Sequence, residues 1–398
     1  MACLSPFLRM RGRGLAGNLG WVPDHHLGVL AEFAHVDELI GELGALLLEY
    51  HTTGGDVVRL KDEVKGECRL LVVEGVKPLP PKIPLLVADV LNGLRSALEH
   101  TIYAEAFHGC DGEPPEAEAR LVEMPARESE QGFADWTKRR TEKGPKALGA
   151  GQPLNQRVYD LQPLHMRGRP RAHPMSRLAG YANHAKHRTP VVTAVAVPLV
   201  IREDTAPMDP RLLPRRPFER LEAGEVLYSA PAGEVVPLSI VPSVGIRHPR
   251  SGAWFVLARE IAAIADWVRK AAVPHLIAGR SQASNPLPAW FNTAVSVKDL
   301  RAAAASGEFV PAHEHAQLRL QARVARHQLP GLLARMPGGP SFGAAEAWLA
   351  SLADAEVTRR LGGFILGPLG EPDAVAKIWK VLEKMRDDAL CFSRTGTD

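Results

Sequence analysis

The sequence predicts a mainly α fold with a small β component, an α+β architecture. A helical core carries a β-hairpin and a small antiparallel sheet, and a C-terminal helical region follows. Three observations predict this. Apolar residues recur every three and four positions over long stretches, as in Phe33, Val36, Ile40, Leu43, Leu47 and Tyr50. Two short β-like runs, 56–60 and 68–74, flank Lys65-Gly66, the pattern of a hairpin. A valine-rich run at 191–201 and shorter ones at 225–228, 234–241 and 244–246 then supply the strands of a sheet.

The elements follow in order. The N-terminus carries Arg9, Arg11 and Arg13 but lacks the apolar h-region of a signal peptide, and residues up to about 23 are expected to be a disordered or weakly ordered leader. Asp24 then suits an N-cap for a helix over 27–50, which Thr52-Thr53-Gly54-Gly55 ends. After the hairpin, Pro78, Pro80, Pro81 and Pro84 force an extended link into a second long helix, with Pro84 tolerated in its first turn. Residues 109–153 look loop-rich. Helices are expected at 155–161, 174–186 and 254–272. Beyond a Pro-containing linker near 284, further helices are expected at 297–305, 315–335, 343–361 and 373–390. The expected division is therefore a leader (1–23), a helical core with hairpin and sheet (24–283) and a helical accessory region (284–398).

Composition sets bounds. At 398 residues the chain exceeds one typical core. A hydrophobic content of 45% with 23% charged residues is ordinary for a globular protein. The net charge of +3 is too small to identify a partner. Cys3, Cys68, Cys110 and Cys391 lie far apart with no CxxC pair, which fits a reducing cytoplasm and argues against a zinc knuckle or disulfide framework. No apolar run reaches the roughly 18 residues of a membrane helix. P-loop, Rossmann and GxSxG signatures are missing. No cofactor and no metal are expected. His313-Glu314-His315 is not HExxH, and adjacent histidines on a helix point apart.

The chemistry concentrates on the second long helix. At about 100° per residue, Val87, Leu91, Leu94, Leu98 and Ile102 share one arc. Asn92, Arg95, Ser96, Glu99 and His100 share another, spanning roughly 140°. A guanidinium and an imidazole beside a carboxylate can stabilise a phosphate and move a proton. They can equally form a salt-bridged helix surface. A second polar segment, Asn183-x-x-Lys186-His187-Arg188, ends a stretch (157–188) rich in arginine and histidine whose only acid is Asp160. Such a stretch suits a phosphate-bearing ligand, or a solvated loop.

The ordered pattern Asp89, then Asn92-x-Leu94-Arg95-Ser96-Ala97-Leu98-Glu99-His100, then Leu161-Gln162-Pro163, then Asn183-x-x-Lys186-His187-Arg188, resembles a family of uncharacterised bacterial proteins with "GD-x-x-HNLRSALDH", "LQPY" and "NIDKHR" motifs. Here Glu99 replaces Asp, and Leu164 replaces the aromatic residue. The spacing Arg95-x4-His100 also resembles the R-x(4–6)-H signature of the HEPN superfamily. That resemblance implies a metal-independent endoribonuclease, all-helical and dimeric, possessing a cytoplasmic toxin or phage-defence role by analogy. It assigns His100 the proton transfers at the 2′-hydroxyl or leaving oxygen, and Arg95 the neutralisation of phosphorane charge.

Catalytic candidates are thus Arg95, His100 and Glu99. Binding candidates are Asn92, Ser96, Asn183, Lys186, His187 and Arg188. The expected partners are RNA and a second copy in a homodimer, with no membrane. If Asn183, Lys186 and His187 meet Asn92, Arg95 and Glu99, they form one cationic pocket in which Glu99 orients a histidine. Two alternatives stay open. One is a non-enzymatic scaffold whose Arg/His/Glu helix face is an internal hydrogen-bond network. The other is a metal hydrolase built on His184, His187 and His100.

Overall fold

The computed structural model describes residues 19–110, 113–187, 192–202, 216–279, 286–296, 298–361 and 374–395. Among these residues helix dominates, and the strands form two three-stranded sheets, so the fold is α+β. The chain divides into two compact units. Among described residues the first holds 19–200 and 216–313, and the second holds 201–202, 314–361 and 374–395. Leu287 and Phe291 belong to the first unit's core, so the stretch after 284 packs there before the second unit begins.

In the first unit, helix α1 (Leu27–Thr52) lies along helix α2 (Lys82–Phe107). Their stripes of Phe33, Val36, Ile40, Leu43 and Val87, Leu91, Leu94, Leu98, Ile102 are buried. The close approach needs Gly93, because a Cβ there would stand 2.6 Å from Val36 Cγ2. Strands β1 (Val58–Lys65) and β2 (Cys68–Val76) make the expected hairpin, closed by Gly66 at φ 60° and its neighbour Glu67. Of the leader expected over 1–23, residues 1–18 lie outside the described residues. Leu19 and Val22 are buried core, so its last turn is ordered.

The 109–153 stretch is less loop-rich than expected. It holds a short helix, α3 (Glu116–Ala119), and a longer one, α4 (Glu130–Lys143). The Ser129 hydroxyl caps α4 by accepting from Gly132 N, and Phe133, Trp136 and Arg140 form its buried face. Helices α5 (Pro153–Asp160) and α6 (Pro174–His187) follow, and α6 packs on α2.

The strands β3 (Thr193–Arg202), β4 (Val226–Pro231), β5 (Leu238–Arg247) and β6 (Trp254–Val256) do not make one appended sheet. Strand β4 leaves its sequence neighbours and pairs antiparallel with β2, giving the order β1-β2-β4, while the second sheet runs β3-β5-β6. The two runs expected at 234–241 and 244–246 are one strand, β5. The helix expected from 254 starts only after β6, as α7 (Leu257–Trp267), and passes through a π turn (Val268–Ala272) into α8 (Val273–Ala278). Pro274, which lacks an N–H to donate to the preceding turn, accounts for the π turn ahead of it. Arg269 in that turn reaches Asp37 Oδ1 of α1 at 3.5 Å. Helix α9 (Leu300–Ala305) completes the unit.

The second unit is helical: α10 (Ala312–Arg335, beginning in the first unit), α11 (Phe342–Ser351), α12 (Asp354–Leu361) and α13 (Ala374–Thr395). The single helix expected over 343–361 is two. Arg326 caps the break, donating to the Leu349 carbonyl at 3.1 Å and the Leu352 carbonyl at 2.7 Å. Leu329, Leu333, Trp348, Leu349, Val357 and Leu382 supply its core. No helix among the described residues is long and apolar enough to cross a membrane.

Candidate functional site

Burial of the apolar arc of α2 fixes where the polar arc points. Arg95 Nε donates to Glu99 Oε1 at 2.7 Å, and Nη2 donates to the main-chain carbonyl of Met124. Nη1 lies 4.0 Å from Met175 Sδ in the first turn of α6, and the side chain is only 11% exposed. His100 is different. Its Nδ1 lies 2.8 Å from Glu32 Oε2 on α1, and its side chain is 67% exposed. Five positions along a helix turn the side chain by roughly 140°, so the guanidinium and the imidazole face different neighbours. Burial pushes the Glu32 carboxyl above the ordinary carboxylate value, and the imidazole opposite draws it back down. The Asn92 side-chain oxygen is shielded and has no hydrogen-bond partner among the described residues. Ser96 is half-buried.

The second motif meets the first at one segment. Gln162 is fully buried; its Nε2 donates to the Val158 carbonyl at 2.9 Å, and its Oε1 accepts from Arg127 N at 2.9 Å. Leu164 N donates to the Arg127 carbonyl at 3.1 Å. Arg95 holds Met124 and Gln162 holds Arg127, so both motif residues clamp the irregular segment 124–127.

The third motif lies elsewhere on α6. Asn183 is exposed and His184 half-buried. Asn183 sits eight residues beyond Met175, about 12 Å of axial rise. Among the described residues no hydrogen bond joins Asn183 to Asn92, Arg95 or Glu99. Lys186 and His187 close the helix, and their side chains, like the whole of Arg188, lie outside what is described. The arginines of 157–188 are not one patch. Arg177 turns inward to Glu260, which also accepts from Tyr181 Oη at 3.2 Å, while Arg167, Arg169 and Arg171 are exposed. Burial raises the Glu260 carboxyl, opposed by the facing Arg177 guanidinium.

One constellation was not foreseen. Asp24 does not cap α1. Its carboxylate accepts from Arg301 at 2.7 Å, and His26 occupies the N-cap position without a side-chain capping bond. His25 and His26 instead turn to Glu105 near the end of α2, with Nε2–Oε1 separations of 3.4 and 2.7 Å. Arg157 Nη2 donates to Glu105 Oε2 at 2.9 Å, and His25 stacks on His108 with ring centroids 3.9 Å apart. The histidine doublet was visible in the sequence. Its carboxylate, 79 positions on, carries no local signal.

Comparison of the chain with protein-family models, with curated proteins and with solved structures gave no match.

Proposed function

We propose that the chain is a non-enzymatic scaffold or interaction protein in which the Arg95–Glu99 helix face is a structural network. The observation that carries this is the commitment of Arg95. Of the five N–H donors of its guanidinium, Nε goes to Glu99 and one Nη2 N–H to the Met124 carbonyl, and the side chain is only 11% exposed. Gln162 works on the same segment, so the most recognisable motif residues serve folding. A phosphate that took over the Nε and Nη2 donors would displace an ion pair and orphan a buried carbonyl, which costs on the order of 1–3 kcal/mol. The test is a metal-free RNA cleavage assay on the wild type, Arg95→Ala and His100→Ala. No cleavage above background is expected from any of them. Cleavage by the wild type that His100→Ala loses would overturn the proposal.

A second reading rests on His100 alone. Its ring is open to solvent, and Glu32 backs Nδ1, leaving Nε2 able to give or take a proton. In a HEPN-like endoribonuclease built this way, Glu32 in place of Glu99 orients the imidazole. A homodimer partner supplies the cation that Arg95 does not. His100→Ala alone would then abolish cleavage, with Arg95→Ala acting only through stability.

A further inference from the structure

We propose that His25, His26 and Glu105 form a binding site for a divalent transition metal of the zinc class. The argument is geometric. Tetrahedral ligation at 2.0–2.1 Å places donor atoms about 3.3 Å apart. His25 Nε2 and Glu105 Oε1 stand at 3.4 Å, already at that spacing. His26 Nε2 and Glu105 Oε1 stand at 2.7 Å and need to open by only about 0.6 Å to reach it. All three donors lie within 4.8 Å of one another. Two imidazoles and one carboxylate form a donor set that suits zinc or a neighbouring late first-row ion better than calcium or magnesium, which want oxygen alone.

The surroundings suit a ligand set. Arg157 takes only Oε2 of Glu105, leaving Oε1 facing the two rings, and Arg157 is itself anchored by donating to the Ile277 carbonyl at 2.8 Å. An outer partner of this kind fixes a ligating carboxylate in place. His26 is fully buried, with Nε2 turned to the Glu105 carboxylate. Three protein donors leave a fourth position for water. The ion would tie the segment preceding α1 to the C-terminal end of α2, joining chain positions 79 and 80 residues apart.

The test uses the full-length, tag-free chain with Co2+ and Zn2+ as probes. One equivalent of Co2+ should bind with visible d–d absorption, be displaced by Zn2+, and raise the melting temperature. His25 is partly exposed, so His25→Ala should keep the melting temperature measured in EDTA while weakening metal binding about 100-fold or more. Outer-shell changes alone typically cost 10–100-fold. Glu105→Gln should weaken it similarly. A wild type that takes up neither ion at micromolar concentration, or a folded His25→Ala that binds as tightly as the wild type, would overturn the proposal. Neither outcome bears on Arg95, so this site and the reading of the α2 face stand or fall separately.

Discussion

Replacing Arg95 by alanine separates a folding role from a chemical one. The substitution leaves the Met124 carbonyl, on a residue with no exposed surface, without its donor. An unmatched buried acceptor costs about 1–3 kcal/mol. The ion pair to Glu99 adds only about 0.3–1 kcal/mol, because Glu99 is 32% exposed and solvent screens it. Contact between the guanidinium and Met175 is lost as well. The sum is about 1.3–4 kcal/mol, which lowers the melting temperature of a unit this size by about 4–12 °C. Glu99→Gln keeps the acceptor oxygen and should cost no more than about 1 kcal/mol. Urea and thermal unfolding followed by tryptophan fluorescence measure both. An Arg95→Ala protein within about 0.5 kcal/mol of the wild type, the range of an ordinary surface substitution, would refute the reasoning.

Two further outcomes follow from the packing and the buried histidines. Gly93→Ala, which in a free helix would gain up to about 1 kcal/mol, should destabilise by about 1–3 kcal/mol, because its Cβ would meet Val36 Cγ2 at 2.6 Å between two packed helices; calorimetry or chemical denaturation reads the sign. Burial lowers His248 and His173 to about 4 from an ordinary 6.5. Their neutral forms are the folded ones, so this contribution is complete above about pH 6.5 and is lost as pH falls toward 4, with a slope of up to about 1.4 kcal/mol per pH unit for each. Unfolding free energies at pH 7.5, 6 and 5 should therefore decline; a flat profile would contradict the assignment.

Much of this architecture is legible in the sequence because period is local. The stripes of α1 and α2, the hairpin at Gly66 and the helix of Asn183 all announce themselves within a dozen residues. What escapes is long-range. Strand β4 leaves its neighbours for β2, a pairing between residues such as Leu71 and Tyr228 that no local pattern encodes. Helix α4 hides because two aromatic residues and Arg140 make up its buried face amid charge, which reads as a loop. The polar arc of α2 could be placed on the helix but not assigned partners. Met124 and Glu32 come from other segments, and it is they that send Arg95 inward and leave His100 outside. The same holds for His25 and His26, conspicuous as a pair and silent about Glu105.

The state of one side-chain N–H tests the central claim most directly: proton exchange at Arg95 Nε, followed by nuclear magnetic resonance with and without a single-stranded RNA oligonucleotide. Engagement by Glu99 predicts slow exchange with water and a chemical shift that the RNA leaves unchanged. Rapid exchange in the free protein, together with a shift that saturates as RNA is added, would mean that the guanidinium serves a ligand.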